Sequence, residues 1–313
     1  MVKVNLKGVS MDFSSNQELH SVNAEEPVTV QLADRLSARL YEDTCPHCME
    51  TAALQKGLIL MLDGEELIEE GLGFGAPVVK YKDKTYFSSS AKISIKKKPS
   101  FYSISKKYLL DTVSRKKFWR ATYINDGVYS SIRKTFEKEY LSNKNLSPFF
   151  NAVMELRQLA KIKTDFVKVK ARGTVTVTYE IQPALINVSV DFSDLTLNGC
   201  DEVLVLNEQG STIFEKYADA SGLKLFRREI GAWDLVTAEQ ASLMDAKAQL
   251  AFSLQNTHRA ALFRGWERTR NRFSWAGLSY SLCPSNGTFV YAIRLRHKCK
   301  GDRIKFEFSL ASE

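Results

Sequence analysis

The chain has 313 residues, 44% of them apolar and 26% charged, with 44 Lys and Arg against 36 Asp and Glu. That balance suits a folded globular protein long enough to bury a full core, and it excludes a disordered or collagen-like polymer. No apolar run approaches the about 20 residues of a membrane-spanning helix, so no membrane partner is expected.

The net charge of +8 is unevenly placed: residues 1–91 carry −6, residues 92–172 carry +14, and residues 173–313 are neutral. A basic middle either meets an anionic partner or pairs with the acidic start across one fold. The opening Met-Val-Lys-Val-Asn-Leu alternates like a strand and lacks the apolar centre of a signal peptide. Five cysteines without such a leader argue against a disulfide framework and predict a cytoplasmic location.

Short β-like runs occupy residues 1–44, among them Val28 to Leu32. Cys45-Pro-His-Cys48 comes next, with a helical turn or two expected over Met49 to Lys56. Asp63-Gly64, inside the apolar stretch from Leu58 to Ile68, is a hairpin signal. Gly71-Leu-Gly-Phe-Gly75 predicts a tight corner or close backbone packing. It is no phosphate loop, because Gly-Lys-Ser/Thr is missing and a strand follows where a helix should begin. A hairpin is expected from Val78 to Phe87 around Lys82-Asp83-Lys84, and Ala91 to Lys96 alternates again. Lys116 to Gly127 reads as a strand ending in an Asn-Asp-Gly turn. Residues 128–141 fit a helix through Val128, Ile132, Phe136 and Tyr140, and also a strand through Ile132, Phe136 and Tyr140, with a strand favoured at the beginning. The clearest helix runs from Pro148 to Lys161, with Ser147 as N-cap and Phe149, Ala152, Val153, Leu156 and Ala160 as its apolar stripe.

The strongest pattern lies between Phe166 and Phe192. Val167, Val169, Ala171, Gly173, Val175, Val177, Tyr179 and Ile181 alternate with polar residues, which gives one buried and one wet face of a strand. The run is too long for one ordinary strand, so Gly173 is expected to mark a bulge or bend. After Gln182-Pro183 the parity flips to Ile186, Val188, Val190 and Phe192. Further strands are expected at Val203 to Leu206, Leu223 to Phe226, Leu250 to Leu254, Phe289 to Leu295 and Ile304 to Leu310. Thr237-Ala-Glu-Gln240 has the spacing of a capping box and predicts a short helix through Ala246. The fold class that follows is mainly β: two packed antiparallel sheets in a large sandwich with a few short helices. No linker divides the chain, so one domain is expected over 1–313, with N-terminal strands and a turn in 1–56 and the main sandwich in 57–313.

Three groups of residues bear chemistry. Cys45-Pro-His-Cys48 matches the active-site tetrapeptide of thiol-disulfide oxidoreductases similar to thioredoxin, but the residues before it are too polar for the buried strand of that fold. Cys45, His47 and Cys48 are also competent metal ligands that lack a second pair nearby in sequence, so an unliganded turn without stoichiometric zinc is expected. The stretch from Arg264 to Trp275 packs four arginines, Glu267, Trp266 and Trp275 into twelve residues. Flat indole faces with Arg and Glu suit sugar rings and carboxylated saccharides. The same ingredients suit single-stranded nucleic acid, or a buried tryptophan pair beside a solvated basic turn. Asn207 and Glu208 form another polar cluster at a strand end, and Trp233 and His258 complete the candidates.

Long all-β architecture, with Trp, Arg, Glu and His near strand ends, resembles the galactose-mutarotase-like β-supersandwich over most of residues 57–310. The helix from Pro148 and the basic middle depart from it. The resemblance implies a sugar groove on one sheet; no family motif aligns, so it assigns no residue. From the residues themselves, the expected function is carbohydrate binding, or processing by acid–base chemistry at a sugar carbon. Glu208 or Glu267 would be the carboxylate, His258 a second proton carrier, and Arg264 or Arg268 a charge clamp, with Asn207, Trp233, Trp266 and Trp275 as further contacts. No cofactor is expected. The alternatives are weak, non-specific binding of nucleic acid or another polyanion through the basic middle, and a structural protein with no small-molecule site.

Overall fold

A computed structural model describes residues 4–5, 27–45, 48, 51–82, 84–97, 101–118, 162–182, 184–247, 249–268, 274–283 and 287–298. Among these residues the chain is mainly β, and every strand pairing is antiparallel. A small meander comes first: β1 (Val4–Asn5), β2 (Val28–Gln31), β3 (Leu36–Leu40), β4 (Ile59–Leu62) and β5 (Glu65–Glu66). Its last hairpin turns at Asp63-Gly64 as the sequence predicts. Both residues have positive φ, 54° and 85°, the geometry that matches the twist of flanking strands.

A second sheet of 15 strands takes the rest. It contains β6 (Gly73–Tyr81), β7 (Lys84–Lys97), β8 (Tyr102–Phe118), β9 (Ile162–Lys168), β10 (Thr174–Gln182), β11 (Leu185–Asp191) and β12 (Cys200–Gln209). It continues with β13 (Phe214–Asp219), β14 (Lys224–Phe226), β15 (Ala232–Leu235), β16 (Gln240–Asp245), β17 (Leu250–Gln255), β18 (Ala261–Arg268), β19 (Ser274–Leu282) and β20 (Thr288–His297). The spatial order is β14-β13-β16-β17-β20-β11-β10-β8-β7-β6-β12-β19-β18-β15, with β9 on β8 as a branch.

This sheet folds back on itself to make a large sandwich, because residues far apart in that order meet face to face. The Tyr179 hydroxyl of β10 donates to the Phe74 carbonyl of β6 at 2.7 Å, and the Tyr291 hydroxyl of β20 to Asn207 Oδ1 of β12 at 2.7 Å. Phe252 of β17 meets Phe74 edge-on, ring centroids 4.9 Å apart. Arg264 of β18 lies 5.1 Å from the Tyr217 ring of β13. The two ends of the path are joined by a 3-10 turn, Arg227–Ile230, between β14 and β15. The core between the layers is built by strand parity: Val175, Val177, Tyr179 and Ile181 of β10, with Ile186, Val188 and Val190 of β11, are all fully buried. The small meander shares this core through Val28, Val30, Ala38 and Leu40.

The long alternating run is two strands rather than one. Both β9 and β10 pair with the 17-residue β8, and the break falls at Gly173, whose φ is 132°. A Cβ there would lie 2.5 Å from the Asp194 carbonyl oxygen, so only glycine lets the chain turn at this point. The helix expected from the capping-box spacing at Thr237 does not form. Gln240–Asp245 is β16, hydrogen-bonded between β13 and β17, and its Ala241 and Leu243 enter the core at a period of two. Two ladders and a buried apolar pair outweigh a local cap whose contribution is about 1 kcal/mol. The expected helix at Pro148 to Lys161, the ambiguous 128–141 and the expected strand at Ile304 to Leu310 lie outside the described residues.

Candidate functional site

Parity also divides β12 between two faces. Val203 and Val205 enter the main core, while Leu204 and Leu206 join a second apolar cluster on the outer face with Leu72, Ala76 and Val78. Glu208 follows the outer parity. Register carries this face across the sheet: Glu208 stands opposite Gly277, Gly277 opposite Gly265, and Trp275 opposite Glu267. The two glycines form a floor with no room for side chains. A Cβ on Gly277 would lie 2.9 Å from Glu208 Cγ, and one on Gly265 would lie 2.4 Å from the Trp275 ring. The Glu208 side chain therefore rests on Gly277 and the Trp275 indole on Gly265, which brings carboxyl and indole side by side. The Trp275 Nε1–H donates to Glu267 Oε2 at 3.2 Å.

Trp233 reaches the same face through backbone distortion. The register of β15 on β18 shifts between Ala232 and Asp234, and Trp233 itself has a φ of 68°. A bulky residue in the left-handed region costs of order 1–3 kcal/mol, and such strain clusters at ligand-contacting positions. It turns the half-buried ring onto Trp275, at 5.9 Å between centroids, and towards Phe263, at 6.3 Å.

Glu208 is buried beneath the segment Leu67 to Leu72 and accepts the Leu72 N–H at 2.9 Å. Burial pushes its carboxyl up to about 7. The Leu72 N–H and the Lys56 charge pull against that shift, and the Glu267 charge adds to it. Lys56 is itself fully buried, donating to the Gly71 carbonyl at 2.9 Å and to the Thr51 hydroxyl. The packing suggests a simple check of this geometry. Gly265→Ala should displace Trp275 and destabilise the fold by about 1–3 kcal/mol, read by chemical denaturation with near-ultraviolet circular dichroism of the indoles. An unchanged indole spectrum would mean that Trp275 does not rest on this glycine.

Of the residues that the sequence nominates, Glu208, Glu267, Trp233 and Trp275 share this face, whereas Arg268, exposed at the end of β18, has the opposite parity, that of Trp266. His258 does not join them. It is exposed in the turn before β18, and Ala261 to Glu267 alone spans about 20 Å of extended chain. Asn207 faces the interior, where its side chain accepts from the Gly75 N–H at 3.1 Å and from Tyr291. Arg264 is buried, donating to the Ile230 carbonyl at 2.9 Å and to Asp234 at 3.2 Å, a pairing that binds β18 to the 3-10 turn and β15. Trp266 points inward and donates to the Ser211 carbonyl at 3.1 Å. Trp266 and Trp275 are each only 6% exposed, so neither is an open stacking platform; the more accessible indole is Trp233.

Cys45 and Cys48 are both buried, while His47 lies outside the described residues. Among the described residues no group of three His, Cys, Asp or Glu side chains is placed to hold a metal ion. The Cys48 thiol is lowered to about 6, chiefly by a hydrogen bond from Cys45 against the cost of burial, with Lys56 and Thr51 assisting. Nothing in the sequence pattern marks Lys56 as buried. Lys106 was detectable: it shares its parity with Ile104, Tyr108 and Leu110 on β8, and it is buried with them.

No protein-family model matches the chain, and no curated protein sequence matches it. Among solved structures, an alpha-N-acetylgalactosaminidase from Bifidobacterium bifidum in complex with GalNAc aligns with 86% of this chain at 7% identity and a TM-score of 0.45. The chain covers 36% of that enzyme's length. The Slr1438 protein from Synechocystis sp. PCC 6803 aligns over 92% of this chain and 98% of its own, at 8% identity and a TM-score of 0.35. Among the described residues, no helix is long and apolar enough to cross a membrane.

Proposed function

We propose that the outer face of β12, β19, β18 and β15 binds a saccharide, and that Glu208 and Glu267 carry the acid–base chemistry of that site. One observation supports this above the rest: a buried carboxyl held up to about 7 shares a sheet face with a second carboxyl and two indoles. A carboxyl that stays neutral near pH 7 can donate a proton to a ring or glycosidic oxygen, and a nearby carboxylate can accept one or stabilise developing positive charge. Trp233 supplies the flat apolar surface on which a sugar ring stacks. The two-layer antiparallel architecture fits the galactose-mutarotase-like resemblance. His258, Arg264, Arg268, Asn207 and Trp266 have no place in this reading, because they lie away from this face or are engaged in the interior.

Calorimetric titration with neutral, N-acetylated and uronic oligosaccharides tests it. At least one class should bind saturably and with little salt dependence. Trp233→Ala should weaken that binding by about 10- to 100-fold, taking the roughly 1–3 kcal/mol scale of base stacking. Single-stranded oligonucleotides should bind weakly, with a steep salt slope, and be released by about 0.2 M salt. Saccharide binding that is indifferent to Trp233→Ala would refute the site, and submicromolar oligonucleotide binding at physiological salt would favour a polyanion.

A further inference from the structure

The thiols of Cys45 and Cys48 are in hydrogen-bond contact, and two buried lysines flank them. Lys56 and the Thr51 hydroxyl hydrogen-bond Cys48, and Lys106 lies within electrostatic reach of Cys45. The Cys48 thiol donates to the Glu69 carbonyl at 2.9 Å, and the Cys45 sulfur lies 3.9 Å from Glu66 Oε2. Lys56 is tied down by the Gly71 carbonyl and Lys106 by the Tyr41 and Lys56 carbonyls, at 2.9, 2.6 and 2.7 Å. A fixed Lys56 ammonium beside two cysteines packed in one buried cluster stabilises a thiolate, the reactive form of cysteine. It also repels a metal cation, which would have to enter beside it. A purely structural role for two packed cysteines needs neither lysine.

We propose that Cys45 and Cys48 form a redox-active dithiol that closes to an intramolecular disulfide by exchange with a small-molecule disulfide of the glutathione kind. The Cys48 thiolate attacks one sulfur of the oxidant, forming a mixed disulfide and releasing the first small thiolate. Cys45 then loses its proton to that thiolate and attacks Cys48 Sγ, expelling the second. In sum, two protein thiols and one small disulfide become one protein disulfide and two small thiols, with two electrons transferred. Both thiols are buried, so exchange proceeds through a local opening that exposes them. The rate reports that opening; the equilibrium reports the pair itself.

The test equilibrates the full chain in glutathione buffers of graded oxidation, quenches with acid, alkylates and maps the cysteines by mass spectrometry. The Cys45–Cys48 disulfide should form with a fraction that follows the ratio of glutathione disulfide to the square of glutathione. The exposed Cys283 should at most take up one glutathione. In Cys48→Ser the loss of two hydrogens should vanish. Lys56→Met removes the group that stabilises the reduced pair, so half-oxidation should move to a ratio about tenfold lower. If that variant does not fold, the wild-type titration still decides. Persistent thiols at Cys45 and Cys48 in buffers that modify Cys283 would overturn the proposal. So would one zinc per chain that blocks oxidation and is lost in Cys45→Ser.

Discussion

Replacing Glu208 by glutamine should stabilise the protein by about 3 kcal/mol at pH 8 and change little at pH 4. In the folded state this carboxyl takes its proton near 7, against an ordinary value of 4.5. Between those values the folded state holds a proton that the unfolded state has released, so stability falls as pH rises through the window. Below it both states are protonated and the difference disappears. Glutamine keeps the shape and an acceptor for the Leu72 N–H but never ionises, so the loss is removed. Seating the new amide donor beside Lys56 subtracts from the gain. Urea titrations at pH 4 and pH 8 read the effect; equal shifts at both would show that Glu208 does not titrate in this window. The same substitution removes the proposed proton donor. Any saccharide turnover should therefore fall by a factor of about 100 or more while the protein becomes more stable.

Lys106→Met should reverse sign with pH. Burial lowers the ammonium to about 7 from 10.5, against the charges of Glu42, Asp43 and Cys45. Between those values the unfolded state binds the extra proton, so wild-type stability rises with pH across the window. Below 7 the penalty is complete, at roughly 5 kcal/mol. Methionine fills similar space without charge but leaves the Tyr41 carbonyl without this donor, a loss of about 1–3 kcal/mol. The Lys56 carbonyl still receives the Tyr108 hydroxyl at 3.0 Å. The variant should thus be more stable than wild type by about 2 kcal/mol at pH 6 and less stable at pH 10. Equal destabilisation at both pH values would mean that the amine is not held neutral by burial.

The sheet architecture was legible because strand parity writes itself into sequence: Val175 to Ile181 and Ile186 to Phe192 are buried on the faces that their alternation assigns. Thr237 to Gln240 misled because a capping box is local, whereas β16 is fixed by two neighbours distant in sequence. The candidate site was half legible. Glu208, Glu267, Trp233 and Trp275 stood out by residue type, and the parity of β12 separates Asn207 from Glu208. What sequence could not convey is depth. Glu208 is buried because Leu67 to Leu72 crosses over it, and Trp233 reaches the face only through the bulge in β15. Arg264 and Trp266 looked like ligand contacts because a buried arginine paired with Asp234 has the same composition as an exposed clamp.

Indole N–H resonances test saccharide binding on this face most directly, since Trp233 and Trp275 sit at the site and Trp266 points into the core. Adding the saccharide that binds in calorimetry should shift the Trp233 and Trp275 signals saturably and leave Trp266 in place. A shift of Trp266 alone, or no indole shift at saturation, would contradict the account.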